Sequence, residues 1–186
     1  QCDGYQGYNR LEDVTLVCCL AHARRKFFEA VPAARRKKLK LLDINSDVAI
    51  EDSNLPDEEE AEQLIPAEIG LLYCNKLFYL ERTLKDLDSG ERKQQRTVLE
   101  QPIWEQFWNW LDTLHPTGGS KLGKAVNYAQ NHHDTLMNYL LDGRCEISNN
   151  RAERKAKSYA IGRKAFLFHT SEAGAGASAV MYSIVE

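Results

Sequence analysis

The sequence predicts a helix-dominated α/β protein, and three observations carry that expectation. Apolar residues recur at helical spacing along two stretches: Leu71, Leu72, Leu77, Leu80, Leu84 and Leu87 in one, Trp104, Phe107, Trp108 and Leu111 in the other. Val14 to Leu20, VTLVCCL, is a compact apolar run rich in β-branched residues, which reads as a strand buried on both faces. It passes directly into AHARRKFFEA, Ala21 to Ala30, which reads as a helix, and a strand feeding a helix is the α/β habit.

Taken in order, Gln1 to Tyr8 is rich in glycine and tyrosine and reads as a strand end running into a loop. A short helix near Asn9 to Glu12 follows, then the strand and its helix. Pro32 suits the first turn of a further helix to about Leu42. Asp43 to Asp57 mixes Asp, Asn, Ser and Pro and reads as a loop. A long helix is expected from Glu58 to Leu87, with Pro66 as an interruption, and Ser89-Gly90 ends it. The next runs from about Glu91 to Leu114, with Pro102 as a kink position. His115-Pro116 and Thr117 to Ser120 form a linker. Two shorter helices are expected, Lys121 to Asn131 and Asp134 to Leu141, and a last one near Gly176 to Val185. Ser148, Asn149 and Asn150 are all good N-caps, so a helix should also begin there.

Composition narrows the function classes. With 186 residues the chain can bury a sizeable core, as one domain or one plus an insertion. Hydrophobic residues at 43% and charged residues at 27% fit a soluble protein, and no apolar run approaches a membrane span. No basic-then-apolar start marks a signal peptide. Five cysteines without a repeating spacing argue against a disulfide scaffold and for a reducing, cytoplasmic setting. The net charge of −3 hides segregation: Arg24 to Lys40 holds eight basic residues, and Asp43 to Glu62 holds nine acids and no base. Nucleic-acid binding depends on such local patches, so the net charge does not exclude it.

The stretch richest in chemistry is Asp142 to Lys164, DGRCEISNNRAERKAKSYAIGRK. Its helix carries one acid, Glu153, among Arg151, Arg154, Lys155, Arg163 and Lys164. Two readings of Glu153 stand side by side. Asn150-x-x-Glu153 fits a capping box, with Glu153 reaching back to the Asn150 amide. A lone carboxylate near a positive helix N-terminus also suits a phosphate-handling metal site. Asp3-Gly4 is turn chemistry when taken alone. Cys18, Cys19 and His22 include zinc-ligand types, but without a second pair they do not make a zinc spacing. Cys19 reads as a buried apolar residue, and His22 as a core histidine or an orienting group. Arg24 and Arg25 serve either as solvated helix charge or as phosphate contacts. The aromatics Trp104, Phe107, Trp108 and Trp110 read as core. His132 and His133, being adjacent, point apart and do not share a metal.

These motifs together resemble those of transposases of the insertion sequence 66 family. Asp142-Gly143-Arg144, Ile147, Asn149-Asn150, Ala152-Glu153-Arg154 and Ile161-Gly162-Arg163-Lys164 follow the family's C-terminal signature in order. Phe166-Leu167-Phe168 and Tyr182-Ser183-Ile184-Val185-Glu186 complete it. Asp3-Gly4-Tyr5-Gln6-Gly7-Tyr8 is similar to the motif at the family's second metal-binding aspartate. Cys19-Leu20-Ala21-His22-Ala23-Arg24-Arg25 resembles a further family signature, with Leu20 where tryptophan is usual.

The resemblance implies part of a ribonuclease-H-like fold with a long α-helical insertion. Residues 1–30 would be core, 31–141 the insertion, and 142–186 the closing helices of the core. It implies that Asp3 and Glu153 are catalytic and hold two magnesium or manganese ions. Arg24, Arg25, Arg151, Arg154, Lys155, Arg163 and Lys164 would contact DNA, with His22, Asn149 and Asn150 in support. The expected function is metal-dependent phosphoryl transfer on transposon ends and target DNA, within a homo-oligomer. The first acid of the triad is expected upstream of Asp3, so the chain reads as an inactive fragment of an active enzyme. The alternative is a non-catalytic helical module that binds nucleic acid or protein.

Overall fold

The computed structural model describes residues 12–39, 64–154, 157 and 171–185. The chain divides into two compact units, Gln1–Ser148 and Asn149–Glu186. The described residues of the first are a helical bundle: α1 Leu20–Ala30, α2 Ala33–Leu39, α3 Pro66–Thr83, α4 Ser89–Leu99, α5 Gln101–Asp112, α6 Lys121–Asn131, α7 His133–Met137 and a 3-10 helix Asn138–Leu141. Those of the second are a helical turn over residues 150–154 and α8 Glu172–Val185.

The α/β, ribonuclease-H-like expectation is not met. Among the described residues there is helix and irregular chain but no sheet. The physical reason lies in Val14–Leu20. It runs as irregular chain into the extended N-cap Cys19, with Leu20 already in α1, and among the described residues its backbone partners are not strands. The Cys18 N–H donates to the Thr135 carbonyl (2.8 Å) and the Leu20 N–H to the Ile147 carbonyl (3.1 Å). Asn138 Nδ2 donates to the Leu16 carbonyl at 2.8 Å. Val17, Cys18, Cys19 and Leu20 are buried, and among the described residues this run packs within the helical bundle and pairs with no strand. The helix expected from Ala21 starts one residue earlier, at Leu20.

Helix α1 is the centre of the unit, packed against α3 and α6. Its Phe27 is fully buried, and a Cβ on Gly70 of α3 would lie 2.5 Å from the Phe27 ring. Only glycine allows α1 and α3 to approach so closely. Phe107 of α5 is an aromatic hub, edge-on to Phe27 (6.0 Å), Tyr73 (5.6 Å) and Trp104 (5.7 Å). The expectation that these aromatics build core is met, with Trp104 and Phe107 buried.

The punctuation of the chain follows the sequence in part. Pro66 opens α3 and Pro102 lies in the first turn of α5, both positions where a missing N–H costs nothing. The expected single helix Glu91–Leu114 is two, divided at Glu100. Ser89-Gly90 lies inside α4, because the Asp88 side chain caps the helix by accepting from the Gly90 (2.7 Å) and Glu91 (2.9 Å) amides. The short helix near Asn9 (all but Glu12), the whole loop from Asp43 to Asp57, and the start of the helix from Glu58 lie outside the described residues.

Candidate functional site

The start of α1 holds the first group of motif residues. Cys19 is the extended N-cap residue and is fully buried. The His22 N–H donates to the Cys19 carbonyl (3.2 Å), and the Cys19 sulfur lies within 4.8 Å of a His22 ring nitrogen. Arg24 and Arg25 point differently. The Arg24 Nε donates to Asn75 Oδ1 on α3 at 2.8 Å, whereas Arg25 is exposed. One of the two expected phosphate contacts is therefore also a strut between helices.

Asp142-Gly143-Arg144 forms a self-contained turn. Asp142 Oδ1 accepts from the Arg144 amide (2.9 Å), and its Oδ2 from Arg144 Nη2 (2.6 Å). Those bonds hold the Asp142 carboxyl well below the usual carboxylate range. Gly143 is dictated by packing: a Cβ there would lie 1.9 Å from the Ser89 carbonyl oxygen. The turn therefore sits directly on the first turn of α4.

What clamps the turn is Arg96, a residue that sequence reasoning misses. Its side chain is fully buried. It donates to the carbonyls of Tyr139 (2.9 Å), Asp142 (3.0 Å) and Cys145 (2.7 Å), and to both oxygens of Glu81 (2.7 and 2.8 Å). Arg92 also pairs with Glu81. Beside this pair lies Glu100, fully buried. Its Oε2 accepts a short hydrogen bond from the Tyr139 hydroxyl, which itself accepts from Trp104 Nε1 at 3.1 Å. Among the described residues Glu100 Oε1 meets no donor, and the neighbouring Glu81 carboxylate lies within hydrogen-bonding reach. Burial and then the Glu81 charge push the Glu100 carboxyl up to about 8. Burial works the same way on Glu81, but its bonds from Arg96 and Arg92 outweigh it and hold that carboxyl below its ordinary value.

In the second unit a helical turn begins at residue 150, and the Glu153 N–H donates to the Asn149 carbonyl at 2.9 Å. Asn149 is thus the residue that opens the helix, and Glu153 stands at the fourth helical position. The capping box read on Asn150 needs Glu153 at the third, so the register is one residue off. Glu153 is half-buried, while Arg151 and Arg154 are exposed. Asp3, Lys155, Arg163 and Lys164 lie outside the described residues.

The match of a protein-family model decides what this set of motifs belongs to: the model described as Transposase IS66 family covers residues 1–177. The chain belongs to that family. Its relatives include proteins of Sinorhizobium fredii (strain NBRC 101917 / NGR234). "Uncharacterized protein y4hP" is 29% identical over 197 residues, with 100% of this chain and 32% of that protein covered. "Uncharacterized protein y4jD" is 26% identical over 196 residues, with 100% of this chain and 33% of that protein covered. The chain spans about a third of the length of the curated relatives it matches. No solved structure matches it. No described helix is long and apolar enough to cross a membrane.

The donor chemistry fits a hard divalent cation in one respect. Glu153 supplies carboxylate oxygen on the first turn of a helix, the ligand type magnesium and manganese prefer. Cys19 and His22 are softer donors and add nothing to such a set.

Proposed function

We propose that this transposase-family chain supplies two acids, Asp3 and Glu153, of a metal-dependent phosphoryl-transfer site. That site cuts transposon ends and joins them to target DNA. The observation that carries the proposal is the extent of the family match, residues 1–177, which includes both the Asp3 motif and the Glu153 signature. Asp3 and Glu153 would hold two magnesium or manganese ions. Such a pair of ions, when bound, activates the attacking oxygen and stabilises the leaving one.

The chain's own residues have distinct roles in this account. Glu153 presents its carboxylate from the first helical turn, where the exposed N–H groups favour negative charge and, beyond it, phosphate. Arg151 and Arg154, exposed on that turn, would pair with backbone phosphates, and Arg25 would do so from α1. Lys155, Arg163 and Lys164 extend that basic surface in the sequence, and Asn149 supports the turn through its carbonyl. Arg24 would contribute charge while bracing α1 against α3. His22 would orient groups at the start of α1. Both transposon ends must be held for joining, which favours a homo-oligomer.

The experiment is a cleavage assay with magnesium or manganese on the full reading frame that contains this sequence. Glu153→Gln should reduce cleavage at least about a hundredfold, the loss expected when a stabilising charge leaves a phosphoryl-transfer site. DNA binding and thermal stability should be unchanged. Wild-type cleavage by Glu153→Gln would remove Glu153 from the chemistry and favour a purely structural role for its helix.

A further inference from the structure

An open groove of about 320 Å³ lies on the helical unit, lined by Lys26, Glu29, Arg36, Lys121 and Lys124. Four cations and one acid converge there from α1, from α2 and from the first turns of α6. Lys121 and Lys124 are far from the basic stretch Arg24 to Lys40 in sequence, so the fold gathers this charge.

Two of the cations are held in place. The Lys26 ammonium sits 4.9 Å from the centroid of the Tyr128 ring on α6, a cation–π contact. Arg36 donates through Nε to the Val31 carbonyl (2.8 Å) and through Nη2 to the Glu29 carbonyl (2.8 Å), with its Cζ 5.1 Å from the centroid of the Phe28 ring. It locks the turn between α1 and α2 and leaves its charge at the groove wall.

The other two are placed where helix stability alone disfavours them. Lys121 and Lys124 stand at the positive N-terminal end of α6, capped by Ser120 Oγ accepting from the Gly123 amide at 2.9 Å. That first turn contains no acid. Cations at a helix N-terminus repel its dipole unless an anion lies over them. Among the described residues, the lining is made of charged side chains alone, with no aromatic for base stacking and no amide or hydroxyl for base edges. Its chemistry is that of charge against charge.

We propose that this groove seats the phosphodiester backbone of duplex DNA, in a sequence-independent way. The choice of DNA as the polyanion rests on the transposase reading; the location of the groove does not.

The test is anisotropy of labelled duplexes of two unrelated sequences, titrated with this chain between about 50 and about 200 mM salt. Wild type should bind both alike. Lys121→Glu with Lys124→Glu should weaken both at least about tenfold. It should also make the salt slope shallower by about 2, near 0.9 for each phosphate no longer neutralised. Glu29→Gln, which removes the one acid, should tighten binding. Lys93→Glu, an exposed reversal on α4 outside the groove, should change little. Absent binding by wild type, an unchanged slope in the double variant, a loss equal to that of Lys93→Glu, or no gain from Glu29→Gln would each overturn the groove. None of these results touches the Asp3 and Glu153 proposal, which metal-dependent cleavage reads separately.

Discussion

Arg96 shows how one side chain can carry more of a fold than a motif does. It sits in SGERKQQRTVL, where five of its seven preceding neighbours are charged or amide side chains, and it looks like part of a solvated helix face. Nothing in that pattern marks it. Its role emerges only when the chain places the Glu81 carboxylate and three backbone carbonyls around it. Removing one partner of a buried ion pair typically costs about 3–5 kcal/mol, because the other charge is left uncompensated. Arg96→Ala should destabilise the helical unit by about that much in urea denaturation. A loss below about 1 kcal/mol would mean that water replaces the guanidinium.

Glu100 gives a pH prediction at the same scale. The groups facing it are Glu81 from α3, Arg96 from α4 and Tyr139 from the 3-10 helix, with Arg92 paired to Glu81. Its pKa in the folded chain, about 8, lies above its ordinary value of 4.5. The stability it contributes is therefore fully present at low pH and is lost as pH rises from about 5 toward 8. Glu81 is lowered and acts oppositely, its contribution being lost as pH falls through its folded pKa. Glu100→Gln keeps a donor toward Glu81 and an acceptor for Tyr139, and it cannot ionise. Melting temperatures between about pH 5 and 8 should fall for wild type more than for Glu100→Gln. Parallel curves would show that Glu100 is ionised throughout.

At the scale of elements, local chemistry is the legible part. The aromatic stripe of α5 and the helix from Lys121 to Asn131 follow from periodicity and from capping rules, whereas Pro66 and Pro102, expected as an interruption and a kink, stand in the first turns of α3 and α5. Val14–Leu20 misleads because burial between helices and burial in a sheet select the same residues. Only the partners of its amides, Thr135 and Ile147, distinguish the two. Asp88 is masked as a cap because Ser89-Gly90 directly after it reads as a break. Asp88→Ala should cost about 1 kcal/mol, the usual worth of an N-cap, measured by thermal unfolding. Gly143→Ala should cost about 1–3 kcal/mol or more, since a methyl group would collide with the Ser89 carbonyl and lift the turn from α4. A neutral Gly143→Ala would mean that the turn moves without cost.

At the scale of the whole chain, the family signature straddles two compact units. The boundary between the two compact units falls at Ser148–Asn149, inside the stretch from Asp142 to Lys164. The part before it, Asp142 to Ile147, is anchored: the turn is clasped by Arg96, and the Ile147 carbonyl accepts from Leu20 at the start of α1. The part after it opens the helix that carries Glu153. Substitutions in the first part should act on stability, and Glu153→Gln on chemistry alone. A sequence match joins these parts without showing the division, because the interactions that separate them come from residues as distant as Leu20 and Arg96.

The central claim is that Asp3 and Glu153 hold the same cations, and localised iron chemistry tests it without relying on turnover. Ferrous iron in place of magnesium, with ascorbate and peroxide, cuts the polypeptide wherever the cation sits. In the full-length protein the account predicts scission beside Asp3 and beside Glu153, suppressed by excess magnesium and lost from both places in Glu153→Gln. Scission confined to other segments, or persisting unchanged in Glu153→Gln, would contradict it.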